Sequence, residues 1–309
     1  MSPPPESPAF AVHGGAGALA LHEVAEMAEQ AQTPSGGPRR AGVQRACEAG
    51  WAILLQGGSA LDAVAAAVVI LEDDPVFNAG VGGALTAAGE VELDASLMEG
   101  GSLRCGAVAG VKDVRNPILL ARAVLERSPH VLFAGAGASA FAREVGLPPV
   151  ANTSLMTRAA LARWKAARAE ATKGSGHGTV GAVARDARGH LAAGTSTGGM
   201  MLKPAGRVGD SPLIGCGTYA DDALAAVSCT GHGERIIQLT LARAVAGAVG
   251  AGASAQAAAE EGIRQLGARV QGEGGVIVIG PSGPPALVHN APAMARAWVT
   301  PEGSVAVAL

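Results

Sequence analysis

Apolar residues recur along the chain in two rhythms, helical through much of the first half and strand-like after residue 178. Ala9-Phe10-Ala11-Val12 reads as a short strand running into His13-Gly14-Gly15-Ala16-Gly17. Glycines after a strand let the backbone approach a ligand or another strand closely, and the sequence leaves both readings open. Residues 20–40 are polar and marked by Pro and Gly near their end. From Gly42 to Gln56 the apolar positions Val43, Ala46, Trp51, Ile53 and Leu54 have helical spacing, and Gly57-Gly58 ends the helix. Ser59 is placed to cap a second helix, Ala60 to Glu72, apolar nearly all round and therefore expected between other elements. Gly89 to Ala95 and Cys105 to Val111 read as strands, Asp113 to Asn116 as a turn, and Pro117 opens a helix to about Arg127. Pro129 to Gly137 is short and apolar, Ala138 to Val145 is helical, and residues 146–154 are irregular. Leu155 to Ala171 reads as a basic surface helix with a weak apolar stripe through Leu161 and Trp164.

After residue 178 strand and turn units dominate. Thr179 to Asp186, a turn at Ala187-Arg188-Gly189, and His190 to Thr197 make a hairpin. Residues 200–217 read as a long loop and Ala225 to Thr230 as a strand. Arg235 to Val249 and Ala253 to Leu266 have helical patterns, and Gly275 to Gly280 and Ser304 to Leu309 are closing strands.

Composition narrows the class. The 309 residues read as one domain, with a Pro-rich tail over residues 1–8 and a flexible Gly/Ser-rich linker over 172–178. Hydrophobic residues make up 49% but aromatics only 3%, and there are 45 glycines, so the core must be built from small side chains with backbones in close approach. A net charge of −3 with no Lys/Arg block argues against nucleic acid. No apolar run is long enough to span a bilayer, and Met1-Ser2-Pro3-Pro4-Pro5-Glu6 has no secretory pattern, so a cytoplasmic protein is expected. Cys47, Cys105, Cys216 and Cys229 form no CxxC pair and no zinc spacing and are expected to be reduced.

Two stretches carry candidate chemistry. At Gly178-Thr179 a polar Gly/Ser-rich arm meets a buried strand. If that bond is cut, Thr179 holds a hydroxyl and a free α-amine whose unperturbed pKa of about 7.7–8.0 suits a general base at neutral pH. Glu72-Asp73-Asp74 close a helix, where acids oppose the macrodipole and call for a cation, either an arginine or a metal ion. Thr195-Ser196-Thr197, Arg207, Asp210 and Thr230-Gly231 add polar groups at the ends of small-residue strands.

Taken in order, His13-Gly-Gly-Ala-Gly17, Phe77-Asn-Ala-Gly80, Gly178-Thr-Val-Gly-Ala-Val183, Thr195-Ser-Thr-Gly-Gly199, Gly206-Arg-Val-Gly-Asp-Ser-Pro212 and Cys229-Thr-Gly-His-Gly-Glu234 resemble the isoaspartyl peptidase/L-asparaginase family. This is the plant-type asparaginase branch of the N-terminal-nucleophile hydrolases, and the resemblance runs from about residue 9 to the end. It implies an α+β fold, a four-layer αββα sandwich. It also implies self-cleavage into an α chain of residues 1–178 and a β chain of residues 179–309. Thr179 would be the nucleophile and Thr197 would orient it. Thr230 and Gly231 would form the oxyanion hole, with Asn78 near the nucleophile. Arg207 would hold the substrate α-carboxylate, and Asp210 with the Gly233 carbonyl its α-ammonium. The backbone carbonyls of Leu71, Glu72, Asp74, Phe77, Ala79 and Val81 would bind a structural sodium ion, with no cofactor needed for catalysis. The implied substrates are L-asparagine and β-aspartyl dipeptides, and the implied assembly is a homodimer of αβ units.

Arg185, where the strand usually continues apolar, and Gly194, where alanine is commoner, depart from the family pattern and touch no named role. A lysosomal glycosylasparaginase is the second reading within the family. A non-catalytic member would be expected to lack Thr179, Arg207 or Asp210, and a nucleotide-binding enzyme to carry a phosphate loop; neither pattern is present.

Overall fold

A computed structural model describes residues 7–17, 37–169 and 178–309. Most of the expected tail, most of the expected linker, the polar stretch 18–36 and the last two residues of the basic helix lie outside the described residues.

The central strands are apolar on both faces because both faces are covered. An eight-stranded sheet runs in the order β12-β11-β1-β5-β6-β2-β3-β4 and a four-stranded one in the order β10-β9-β8-β7. In the larger sheet β1 is Ala9–Gly17, β2 Leu93–Glu99, β3 Cys105–Val111, β4 Leu132–Ala134, β5 Val180–Arg185, β6 Leu191–Thr197, β11 Ala293–Val299 and β12 Val305–Ala308. In the smaller, β7 is Thr218–Ala220, β8 Ala226–Gly231, β9 Gly274–Ile279 and β10 Ala286–His289. Helices α1 Pro38–Leu55, α2 Ala60–Asp73, α3 Pro117–Arg127 and α4 Gly135–Glu144 lie on the larger sheet. Helix α5 is Arg158–Ala169; α6 Gly233–Leu239, α7 Leu241–Gly250 and α8 Ala255–Val270 cover the smaller sheet.

Strand alternation sorts side chains between the layers. On β1, Phe10 and Val12 face α1 and α2, whereas Ala9 and Ala11 face the other sheet. On β5, Val180, Ala182 and Ala184 face the helices and Val183 the other sheet. On β8, Val227 and Cys229 face α6–α8, while Ala226 joins the core between the sheets. Helices, sheet, sheet and helices thus stack in the expected αββα order. Toward the Thr179 end of β5, the space between the sheets is polar: His13, Ser96, Thr195, Thr218 and Ser228 meet there, all fully buried.

Small residues let these layers close. Gly50 on α1 sits over the Phe10 ring, and a Cβ there would strike it. Gly194 is explained in the same way, since a Cβ would come within 2.8 Å of Val64 and 2.9 Å of Leu97. Arg185 is buried because it ties elements together, donating to the carbonyls of Ser7, Gly280 and Gly283. The Phe77 ring is buried against Gly14 and Gly42, fixing the 74–84 segment to β1 and α1. Phe77→Ala is expected to cost about 3–5 kcal/mol, read as a lower urea midpoint. An unchanged midpoint would mean that the ring does not fasten the segment.

Several boundaries differ from expectation. The hairpin matches within one residue at each strand end, with Gly189 at φ 85° and Asp186 Oδ1 accepting from the Arg188 and His190 amides. The strand expected at Gly89 begins at Leu93 and continues to Glu99, because Gly89 lies in a tight turn at φ 82° closed by its N–H on Thr86 O. The single helix expected from Arg235 to Val249 is two, broken at left-handed Thr240. There the amides of Ala242 and Arg243 bond to the carbonyls of Cys216 and Gly215, so tertiary partners outweigh helix continuity. Strands β4, β7, β10 and β11 were not expected. Among the described residues no helix is long and apolar enough to cross a membrane. All four cysteines are free thiols.

Candidate active site

Thr179 precedes β5 at the edge of a cleft lined by Gly178, Thr179, Thr197, Gly199, Met200, Arg207, Gly209, Asp210, Gly231 and Gly233. Strands β5 and β6 are paired antiparallel with Val180 opposite Ser196, which places Thr197 beside Thr179. The Thr179 hydroxyl donates to Thr197 Oγ at 3.2 Å, and the Gly199 amide donates to the same oxygen at 2.9 Å. Thr197 is thereby held by its own turn.

The glycine motif after β1 approaches backbone. Gly15, at φ 103°, lies against Gly178, where an added Cβ would be 2.7 Å from the Gly178 Cα. Gly178 is equally confined on its other side, a Cβ there coming within 2.8 Å of Asn78 Cβ. Asn78 uses both ends of its amide, Nδ2 donating to Gly199 O at 2.7 Å and Oδ1 accepting from Ala84 N at 2.6 Å. It fastens the 77–84 segment to the turn after Thr197.

The charged pair sits across the cleft. Arg207 is bidentate with Glu234, Nε to Oε1 at 2.9 Å and Nη2 to Oε2 at 2.8 Å, and this contact holds the Glu234 carboxyl below the usual range. Nη1 points toward Gly209, 2.9 Å from where a Cβ would stand. Asp210 is buried and its Oδ2 has no hydrogen-bond partner. Burial pushes its carboxyl up to about 7, against the opposing pull of Arg207. Gly217 and Gly233 wall it in, each leaving less than 3 Å to a Cβ: 2.8 Å from Oδ2 and 2.9 Å from Oδ1. A buried carboxylate with an oxygen that lacks a hydrogen-bond partner, and only Arg207 acting on its charge, can accept a further cation.

Of the remaining expected residues, Gly231 and Gly233 line the cleft, whereas Thr230 is fully buried behind it. Its Oγ accepts from the Ala16 amide at 3.1 Å, which leaves the hydroxyl proton to donate. Gly231 is at φ 137°, and a Cβ there would collide with Glu273 O and Gly274, so glycine is required.

A family model described as Asparaginase matches residues 6–309. The chain belongs to the asparaginase family. It is 44% identical over 280 residues to the isoaspartyl peptidase/L-asparaginase of Xenopus laevis, covering 89% of this chain and 87% of that one. It is 43% identical over 284 residues to the Homo sapiens protein of the same name, covering 90% and 88%. It is 44% identical over 301 residues to the isoaspartyl peptidase of Salmonella typhimurium, covering 94% of each chain.

In this asparaginase-family chain the acidic helix end finds arginines. Arg45 pairs with Asp74 at 2.7 Å and Arg115 with Asp73 at 2.8 Å, while Glu72 turns inward to accept from Ser196 Oγ and Ile118 N. The segment beyond folds back on its own carbonyls. A Cβ at Gly82 would stand 2.9 Å from Pro75 O and 3.0 Å from Phe77 O, and one at Gly80 would strike Glu72 O and come within 2.9 Å of Arg115 O. Of the six expected carbonyls, those of Glu72 and Asp74 also accept amides, from Val81 and Phe77.

Met200 also lines the cleft and was not singled out in the sequence, and Gly199 and Gly209, which stand in the quoted motifs, were given no role there. Sequence reasoning also passed over a buried ion cluster behind the cleft. Lys203 donates to Glu92 O at 2.9 Å with its Nζ against Gly199, and Asp94 accepts from Gly110 N at 2.8 Å. Burial lowers the Lys203 pKa and raises that of Asp94, and each group's charge partly offsets the shift of the other. A lysine two residues beyond Met-Met, within a loop, gave no pattern to find.

Proposed function

We propose that this chain is a self-processing amidohydrolase that cleaves the side-chain amide of L-asparagine and the isopeptide bond of β-aspartyl dipeptides. The observation that carries the reading is the meeting in one cleft of Thr179, the Arg207 guanidinium and the buried Asp210 carboxyl with its unpartnered oxygen. An α-amino acid zwitterion offers a carboxylate to Arg207 and an ammonium to Asp210. The names of the relatives support the same substrates.

In the uncut chain Gly178 lines the cleft, so processing must precede catalysis. Thr179 Oγ attacks the Gly178 carbonyl carbon. The acyl group shifts from nitrogen to oxygen, and water hydrolyses the ester, leaving a Gly178 carboxylate and a free Thr179 amine. In the mature protein the amine accepts the hydroxyl proton as Oγ attacks the substrate's amide carbon. Thr230 O–H and Gly231 N–H stabilise the oxyanion; losing one such donor costs about 10²–10³-fold in kcat. The amine then passes its proton to the departing amino group, which leaves as ammonia or, from a dipeptide, as the second residue. Water, deprotonated by the same amine, attacks the β-aspartyl ester, and Thr179 recovers its proton as L-aspartate leaves.

The sodium ion expected at residues 71–82 belongs to this reading as a structural element. The inward carbonyls around Gly80 and Gly82 suit a hard cation. It would fasten the segment that carries Asn78. The homodimer of αβ units rests on the family resemblance, and the cytoplasmic location on the cysteine usage.

Asp210 supplies a pH test. Its raised pKa means that substrate-free protein binds a proton there below about 7, and a ligand ammonium must displace it. Affinity for L-aspartate should weaken about tenfold per unit as pH falls below that value and level off above it. Asp210→Asn should flatten the profile and weaken binding throughout, as read from the inhibition constant of L-aspartate. An unchanged profile would remove Asp210 from the ammonium site. The reading as a whole is tested by offering purified protein L-asparagine and a β-aspartyl dipeptide and following L-aspartate release. Release from neither would overturn it.

A further inference from the structure

We propose that His13 is a positioning residue for Thr179, holding the nucleophile's main-chain carbonyl and backed by a chain of buried hydroxyls that ends at the loop bearing Asp210. The inference rests on the reading of Thr179 as the nucleophile.

His13 lies on β1 opposite Gly181 of β5. Its Nδ1 is 3.1 Å from Thr179 O and its Nε2 2.8 Å from Ser228 Oγ on β8. The chain continues across the space between the sheets. Ser228 Oγ is 2.8 Å from Thr195 Oγ, Thr218 donates to Thr195 at 2.5 Å, and Ser96 lies 2.8 Å from Thr218 Oγ and 2.6 Å from Ser211 O. Ser211 follows Asp210 directly. His13, Ser96, Thr195, Ser211, Thr218 and Ser228 are all fully buried.

The proton directions at the His13 end follow from one constraint. Thr179 O can only accept, so Nδ1 carries the ring proton. Burial pushes the His13 pKa down to about 3, so the ring is neutral and Nε2 is bare. Ser228 must then donate to Nε2, Thr195 to Ser228, and Thr218 to Thr195. Ser96 closes the far end with its proton between Thr218 Oγ and Ser211 O. Ser228 cannot reverse without leaving the bare Nε2 facing another buried acceptor, which is costly, whereas Thr195 and Thr218 also reach Gly217 O at 3.3 Å and Ser211 O at 3.4 Å.

This anchor acts when the Gly178–Thr179 bond is gone. Thr179 is then a chain end held on one side only, and β5 begins after it at Val180. Fixing its carbonyl fixes the peptide plane and with it the Cα that bears the amine and hydroxyl, and the hydroxyl contact to Thr197 then sets rotation about the Cα–C bond. The amine and hydroxyl therefore keep their bearing on Thr197 and the cleft. The strand reserves room for the junction: a Cβ on Gly181 would overlap Ser228 Oγ and stand 2.6 Å from His13 Nε2. Glycine in mid-strand is otherwise a liability.

The test compares wild-type protein with His13→Gln, His13→Asn and Ser228→Ala. The cleaved fraction is measured by denaturing mass, and kcat and KM for L-asparagine are determined on cleaved protein. A small misplacement of reacting groups costs about 10²-fold, so His13→Gln should lose about that much in kcat with KM within about threefold. His13→Asn, whose amide nitrogen falls near the position of Nδ1, should recover about tenfold of the loss, and Ser228→Ala should lose about tenfold in kcat. Equal losses in the Gln and Asn variants, a loss confined to KM, or wild-type kcat in cleaved His13→Gln would each overturn the proposal. If the His13 variants do not fold or cleave, Ser228→Ala decides, and an unchanged kcat there overturns it. Wild-type protein that neither cleaves nor hydrolyses would overturn the nucleophile assignment instead, whatever the variants do.

Discussion

Thr179→Ala protein is expected to stay a single chain of 30.3 kDa and to release no L-aspartate above background. The substitution removes the hydroxyl that attacks Gly178 in processing and the substrate amide in turnover. It also withholds the free amine, because the bond before it is never cut. Removing the nucleophile of an acyl-transfer enzyme costs on the order of 10⁶-fold in kcat. The fold should survive, since among the described residues the side chain makes one hydroxyl contact, to Thr197, and the strand that follows is anchored by β1 and β6. Cleavage of this variant between residues 178 and 179 would refute self-processing by Thr179. Residual turnover near wild type would move the nucleophile elsewhere.

Arg207→Ala should separate processing from turnover. The guanidinium sits across the cleft, bidentate to Glu234, and has no part in attack on Gly178. Losing one partner of a desolvated charge pair costs about 2–5 kcal/mol. For asparagine this corresponds to a fall in kcat/KM of about 30- to 4,000-fold. Asp210 should feel the loss as well, because Arg207 favours its charged form. The variant is therefore expected to cleave itself like wild type and to hydrolyse asparagine poorly, with KM raised. Normal asparagine kinetics in cleaved Arg207→Ala would show that another group takes the α-carboxylate.

What could be read from the sequence was what local chemistry decides. The β5–β6 hairpin follows from Asp186, Gly189 and small β-branched neighbours, and the cap of α2 from Ser59, whose Oγ accepts from Asp62 N at 3.1 Å. Thr179, Thr197, Arg207 and Asp210 were found because each stands in a short motif, and the structure brings all of them to one cleft. Elements set by distant partners were not legible. Strand β11 is mostly alanine, methionine and arginine, weak strand formers held by pairing to β1 and β12. The break at Thr240 depends on carbonyls in the 215–216 loop. The cation wanted by the acidic helix end was legible as a need, but its supply by Arg45 and Arg115 was not. His13 reads in the sequence only as the start of a glycine motif, Thr195 as part of the Thr-Ser-Thr motif and Ser228 as an ordinary strand residue, and Thr218 falls in no expected element. Their meeting depends on how two sheets face each other, which no spacing along the chain records.

The central claim is that Thr179 acts from a chain terminus made by the protein itself. The most direct measurement is the intact mass of freshly purified protein under denaturing conditions, repeated as L-asparagine hydrolysis is followed. The account predicts two chains that divide the sequence between Gly178 and Thr179, with activity rising in step with their appearance. A single uncut chain that hydrolyses asparagine at a steady, undiminished rate would contradict it.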